Sequence, residues 1–443
     1  MSGYETSASD LLDRVEAASA QPLRAMIEIS DRCNEVCVHC YQVQGLKGEI
    51  STDHWRQALD ELAELGVLVL TISGGEATLR SDFLEIVEHA RQRNFVVRLY
   101  TNGLRITPEL AAALARLSVF EVEISVYSTG PDVHDFVTGV PGSFERTLQS
   151  IRYLREAGVP VTIKTVIMSV NQAQIEGYPA FAASLGVAHH LDPDGLMPRE
   201  GFDRAPEAFN PDPALIERLQ KLQAASMPAG PSPLERPEPI HAGTMLCGAA
   251  RELHIEPNGE YRPCTMLDVN FGRVGEAKAR EVFNSPAARA MRDLRWSHVH
   301  GCRDCDFAVA CGRCHAAALA ETGDALGPYP SACAAARRAL SRQSELKIIA
   351  ANGRSAELGP YRWLAPGVYE TIEDVATPED RERAEGLGWV RRSQGGNAAP
   401  ELAVRPGELI QIRRPVRTGQ AGQTGPAGQR PASSRLTRVP GAP

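Results

Sequence analysis

The segment RAMIEISDRCNEVCVHC, Arg24 to Cys40, joins a short apolar run to three closely spaced cysteines. Ala25 to Ser30 reads as a β-strand. The loop after it carries Cys33, Cys37 and Cys40, with three and then two residues between them. Thiolates spaced this closely can each take one iron of a cubane cluster, leaving the fourth iron open for another ligand. The competing reading is a zinc site in which His39 supplies the fourth ligand.

Outward from this strand, apolar runs alternate with amphipathic helical stretches. Five more strands are expected at Val67 to Ser73, Phe95 to Thr101, Glu121 to Tyr127, Pro160 to Met168 and Val187 to Asp192. Ser51 should cap a helix that buries Trp55, Leu59, Leu62 and Leu65 and stops at Gly66. Ser81, Thr107 with Pro108, Ser143 and Asn171 should open the others. Six βα units are too few for a closed eight-stranded barrel, so an open six-stranded barrel or a doubly wound sheet remains. In both, the loops after the strand C-termini build the site. The second strand ends in Ser73, Gly74, Gly75 and Glu76. The two glycines would let a ligand approach the backbone, and the carboxylate is placed to receive an ammonium group.

The full chain has 443 residues, enough for two or three domains. Its formal charge of -8 shows no basic surface for nucleic acid or anionic membrane. Neither an export signal nor a run of about 18 apolar residues is present, which points to the cytoplasm and away from the bilayer. In that compartment, the ten cysteines argue for metal or redox use rather than disulfides. Residues 1–23 form an N-terminal segment, and the first domain is expected over 24–226. Residues 227–240, with five prolines, read as a linker. A second, cysteine-rich domain should occupy 241–346, with a hairpin turning at Pro257, Asn258 and Gly259 and a helical stretch from Ala279 to Leu294. Residues 347–412, with Trp363, Tyr369 and Trp389, form a C-terminal extension. The last stretch, 413–443, carries six arginines and no acid, the composition of a disordered tail.

The second cysteine group comprises Cys247, Cys264, Cys302, Cys305, Cys311, Cys314 and Cys333. Taken alone, CRDCDFAVACGRC could be a zinc ribbon fragment. In strand VTIKTVIM, Lys164 interrupts an apolar and β-branched run. It should either face the cavity and pair with a carboxylate, since an unpaired buried ammonium is costly, or snorkel at the rim.

CNEVCVHC, followed one βα unit later by Gly-Gly-Glu, resembles the radical S-adenosylmethionine superfamily. The seven later cysteines resemble its SPASM auxiliary module, except that two residues rather than three separate Cys311 from Cys314. The resemblance, covering roughly residues 24 to 340, implies a partial (β/α)6 barrel followed by a small cysteine-rich α+β auxiliary Fe-S domain. It implies three [4Fe-4S] clusters, with S-adenosyl-L-methionine on the open iron of the first. Cys33, Cys37 and Cys40 would hold that cluster; Cys247, Cys264 and Cys314 the first auxiliary one; and Cys302, Cys305, Cys311 and Cys333 the second. His39 would pack near the adenine, and Gly74, Gly75 and Glu76 near the methionine part. Asn102 and Ser125 would approach the cofactor, and Lys164 its carboxylate. Some relatives place an arginine shortly after an HD pair for that last task; Phe136, Val137 and Thr138 follow His134 and Asp135 here.

The segment through VHDFVTGVPGSFE and the later DPDGLMPREG look like peptide-modifying relatives. The resemblance therefore implies an enzyme acting on a ribosomal precursor peptide by cross-linking, epimerisation or oxidation. A separate peptide-recognition protein and a reductase, flavodoxin or ferredoxin electron donor would be its partners. A small molecule or tetrapyrrole as substrate is one alternative, and a non-catalytic Fe-S protein another. Asp192, Asp194 and Arg199 are substrate-side candidates, competing with a plain Asp-Pro, Asp-Gly turn. No catalytic acid or base stands out.

Overall fold

A computed structural model describes residues 21–192, 205–212, 247–302 and 311–341, with Val15, Leu196, Leu215, Cys305, Ala308 and the pairs 348–349 and 355–356. Asp194, Arg199, the linker, the tail and the three aromatics of the extension lie outside these residues. Six strands, β1 (Arg24–Glu28), β2 (Val69–Ser73), β3 (Val96–Thr101), β4 (Glu121–Ser125), β5 (Val161–Val166) and β6 (Ala188–Asp192), pair in parallel in the order of the chain. Each crossover steps the same way, so right-handed connections place the helices on one face. A doubly wound sheet would reverse at a switch point. The strands therefore form the partial barrel wall, and the site belongs at their C-terminal ends.

Alternation along the strands separates the two faces. Ile27, Leu70, Ile72, Val97, Leu99, Val122, Ile124 and Ile163 are buried and share one apolar core with Trp55, Leu59 and Leu62 of α1 (Thr52–Leu65) and Phe83, Ile86 and Val87 of α2 (Phe83–Gln92). Ser51 accepts from the His54 amide and Gly66 closes α1 in the left-handed region, as its sequence predicts. The alternate strand positions hold Glu28, Arg98, Tyr100, Glu123 and Lys164, so the opposite face is polar and charged.

Several helix starts differ from the sequence expectation. Asp82, not Ser81, precedes α2. α3 (Pro108–Arg116) begins at Thr107 as expected. A further helix, α4 (Pro131–Thr138), lies ahead of α5 (Ser143–Glu156). Ser143 does not cap α5: its hydroxyl donates to Asp135, whose carboxylate also accepts from the Gly142 and Phe144 amides. Asn171 opens a 3-10 segment, Gln172–Gly177, before α6 (Tyr178–Leu185).

Beyond the barrel, β7 (Leu253–Ile255) pairs in parallel with β1, and β8 (Tyr261–Arg262) returns antiparallel. The hairpin and α7 (Ala279–Phe283) pack into the barrel core. The expected helix to Leu294 breaks before α8 (Pro286–Arg292), because Pro286 lacks an amide donor and drives Ser285 into an extended cap. A second apolar core gathers Met291, Leu294, Trp296, Val299 and Leu319 of α9 (His315–Thr322), with five cysteines against it. α10 (Pro330–Ser341) follows.

Truncating the fully buried Leu59 to alanine should lower stability by about 3 kcal/mol, whereas Leu84→Ala, at 38% exposure, should change it by less than about 0.5 kcal/mol. Urea unfolding followed by circular dichroism checks this; equal midpoints for the two variants would contradict the assigned core face.

Candidate active site

The loop after β1 is held from three sides. The Asp31 carboxylate accepts from the Lys47 and Gly48 amides at 2.8 and 3.3 Å, closing its base. Arg80 donates to the Ile29 carbonyl and to both oxygens of Asp82, and it pairs with Glu49, which also accepts from Ser30. On the far side, the Val36 and Val38 amides donate to the carbonyls of Thr138 and Val137 at the end of α4. The cysteine loop is thus seated by backbone and charged contacts before any metal is considered.

The loop after β2 seats it from below. The Gly75 amide donates to the Ser30 carbonyl at 2.7 Å and the Glu76 amide to the Arg32 carbonyl at 2.8 Å. A Cβ on Gly74 would lie 2.5 Å from the Ser30 oxygen, and one on Gly75 would lie 2.5 Å from the Arg32 oxygen. Both glycines are therefore required by the cysteine loop's own backbone. Glu76 is 1% exposed and accepts from four protein donors. Its Oε1 accepts from Thr101 Oγ1 and from the amide and hydroxyl of Thr78, and its Oε2 from the Asn102 amide. The carboxylate thereby ties the β2 and β3 loops together. Asn102 completes the circuit, its Nδ2 donating to Asn34 Oδ1 at 2.7 Å and approaching Cys33 Sγ at 3.8 Å.

His39 is half-buried, its ring edge-on to Tyr127 with centroids 4.7 Å apart and its buried Nδ1 without a hydrogen-bond partner among the described residues. Burial pushes it down to about 4, so the imidazole is neutral. Ser125 stands within hydrogen-bonding reach of the Tyr127 hydroxyl. Lys164 meets Glu123 Oε2 at 3.7 Å and lies 4.8 Å from the Tyr100 ring centroid, and Arg98 also pairs with Glu123. A protein carboxylate on the neighbouring strand β4 thus holds Lys164 in place. An acid at an inward position of β4 was the available signal, through the Ser125 to Lys164 register. The Asp192 carbonyl accepts from the Ile167 amide, leaving the β6 end at the site's edge.

Three features were not singled out from sequence. Glu35, inside the cysteine loop, is 2% exposed; its Oε2 accepts from the Cys37 thiol and its Oε1 has no partner. Burial raises it to about 7. Tyr41 donates to Glu28 at 2.6 Å, and His254 of β7 stands 3.7 Å from the same carboxylate. Lys47 pairs with Glu256 at 2.8 Å. These contacts bind the cysteine loop to the β7–β8 hairpin, and no sequence pattern brings Glu28 together with residues over two hundred positions away.

The ten thiols sort electrostatically into three sets. Cys33, Cys37 and Cys40 act on one another. So do Cys247, Cys264 and Cys314, and Cys302, Cys305, Cys311 and Cys333. The last four line one cavity of about 50 Å³ with Trp296, Ala308 and Ala336. Among the described residues, no three His, Cys, Asp or Glu side chains converge on a single-ion site. A soft, all-thiol donor set around an apolar cavity fits an iron-sulfur cluster.

A methyl group on Gly75 would press on the Arg32 carbonyl and, at 3.2 Å, on Cys33 Cβ. Gly75→Ala should therefore lose the iron of the first thiol set and keep that of the others, while Gly177→Ala, with nothing within 4 Å, keeps all three. Iron analysis with EPR spectroscopy decides, and full iron content in Gly75→Ala would refute the close-approach argument. Burial also pushes Cys33 and Cys302 up to about 12, and Cys264 and Cys311 to about 11. Such thiols are protonated at neutral pH, and iron binds the thiolate, so loading expels protons. Chelators should strip iron more readily as pH falls below neutral; a flat pH dependence would count against it.

Residues 27–178 match the family described as the Radical SAM superfamily, and residues 247–306 match the iron-sulfur cluster-binding domain SPASM. The AdoMet-dependent heme synthase of Methanosarcina barkeri is 31% identical over 334 residues, covering 68% of this chain and 94% of its own. The mycofactocin maturase MftC of Mycolicibacterium smegmatis is 31% identical over 321 residues, covering 69% and 81%. In three dimensions, Streptococcus suis SuiB bound to precursor peptide SuiA superposes with a TM-score of 0.55 at 18% identity, over 75% of this chain and 83% of that one. That last likeness speaks for the fold. With the cysteine loop seated at the barrel mouth and seven further thiols gathered beyond it, this chain belongs to the radical SAM superfamily and is an enzyme that uses [4Fe-4S] clusters and S-adenosyl-L-methionine.

Proposed function

We propose that the protein is a maturase that modifies a ribosomally made precursor peptide by cross-linking, epimerisation or oxidation. The observation that carries this reading is the sorting of ten thiols into sets of three, three and four. One set stands at the barrel mouth and two lie in a separate apolar module. Cys33, Cys37 and Cys40 hold the cluster that, with S-adenosyl-L-methionine bound, supplies a hydrogen-abstracting 5'-deoxyadenosyl radical. Cys247, Cys264 and Cys314 hold an auxiliary cluster with one iron free of cysteine, and Cys302, Cys305, Cys311 and Cys333 hold a second. When loaded, these two would offer an acceptor for the electron that a substrate radical loses on oxidation.

The chain's own residues set the geometry of the site. Gly74, Gly75 and Glu76 align the first loop, and Asn102 fixes Cys33. The neutral His39 and Ser125 line the adenine side. Lys164, held by Glu123, supplies positive charge within reach of the cofactor's carboxylate. An apolar rim lies beside the first loop, where Val36 is 67% exposed and Phe136 46%. Phe136 stands edge-on to Phe209, 6.2 Å between centroids. This rim suits the side chains of a peptide, and Asp192, Asp194 and Arg199 remain the candidates for contacting it. MftC and the peptide-bound SuiB support the peptide as substrate. The enzyme works in the cytoplasm, consistent with described residues that include no helix long and apolar enough to cross a membrane. A flavodoxin, ferredoxin or reductase supplies electrons, and a separate protein presents the peptide.

A tetrapyrrole substrate is the second reading, favoured by the heme synthase that this chain matches over 94% of its length. Anaerobically reconstituted protein, given S-adenosylmethionine, reductant and peptides encoded by neighbouring short reading frames, should release 5'-deoxyadenosine. Mass spectrometry should then show a peptide that has lost two hydrogens or taken up solvent deuterium. Unchanged peptides together with a modified iron porphyrin would replace the first reading by the second.

A further inference from the structure

The segment Cys311, Gly312, Arg313, Cys314 carries a buried charge. Cys311 and Cys314 belong to different thiol sets, and Arg313 lies between them. Its side chain is buried, with the residue 7% exposed. Nη2 donates to the Ala325 carbonyl at 2.6 Å, Nη1 reaches Cys302 Sγ at 3.9 Å, and Nε has no partner. The guanidinium lies 5.5 Å from the ring centroid of Tyr329, whose hydroxyl accepts from the Cys314 amide at 2.7 Å.

Among the described residues, no carboxylate pairs with Arg313. A buried cation without an anion is strongly unfavourable, so its counter-charge must come from what surrounds it. Among the described residues, the nearby groups that can become anionic include thiols of both sets: the guanidinium acts on Cys302 and Cys311 of the four-thiol set and on Cys247 of the three-thiol set.

We propose that Arg313 is the shared counter-charge of the two auxiliary clusters and raises the reduction potential of both. The inference rests on the cluster assignment above. A cluster that accepts an electron gains negative charge, and a fixed cation in a poorly solvated site favours that state. Because the guanidinium sits between two sets, one residue tunes both, which makes each a better acceptor for an electron leaving the substrate. Arg313 touches no substrate and acts as a positioning charge.

The test is an EPR-monitored redox titration, with iron counting, of the reconstituted full chain as wild type, Arg313→Gln and Arg313→Lys. Arg313→Gln should shift both auxiliary midpoints to lower potential and leave the first cluster's unchanged, while Arg313→Lys stays near wild type. Should Arg313→Gln fail to retain the auxiliary clusters while Arg313→Lys keeps them, charge rather than shape is again what they need. Unmoved auxiliary potentials in Arg313→Gln, or loss of both clusters in both variants, would overturn the proposal. Wild-type protein that carries iron at the first thiol set alone would instead remove the cluster assignment, and this inference with it.

Discussion

The backbone of Gly74 and Gly75 lies against Ser30 and Arg32 too closely for any side chain, and the arrangement of the site follows from that contact. It fixes the height of the cysteine loop over the sheet. Glu76, the next residue, carries the restraint on to the third loop through Thr101 and the Asn102 amide, and Asn102 returns it to Asn34 beside Cys33. Three consecutive loops thus form a closed ring of contacts around the barrel mouth. A buried carboxylate with several donors is among the stronger ways to hold such a ring, because each bond to it is charge-assisted and water does not compete.

The sheet serves two environments. Its outer face is apolar and pays for the fold through burial under the helices. Its inner face is polar and charged: Arg98 and Lys164 share Glu123, and His254 stands beside Glu28. Because Glu28 also accepts from Tyr41, the inner face couples the first cysteine loop to the strand added at the β1 edge. The cysteine-rich segment is therefore continuous with the barrel through β7, and only the part beyond Phe283 builds an apolar core of its own.

Much of this was legible in the residues. Apolar runs located all six barrel strands, because β1 to β5 each keep one face in the core and β6 adds Leu191 to it, and Ser51 with Gly66 marked α1 by local backbone chemistry alone. Local signals failed where a distant partner intervened. Asp135 took over the cap expected of Ser143, and Glu123 supplied a carboxylate neighbour of Lys164 not singled out from sequence. Pro286 was a visible breaker inside the expected helix, and the structure shows it acting as one.

By itself, the sequence determined the parallel α/β class, the placement of three thiols directly after the first strand, and seven more after a proline-rich stretch, since these depend on periodicity and spacing along the chain. The tertiary structure decided the rest. It chose the partial barrel over the doubly wound sheet through the strand order, and it showed that Gly74 and Gly75 are glycines because another loop occupies their space. It also sorted the seven later thiols into three and four around a buried Arg313. Strand order, close approach and electrostatic neighbourhood are relations between segments far apart in the chain, and they exist only once the chain has folded.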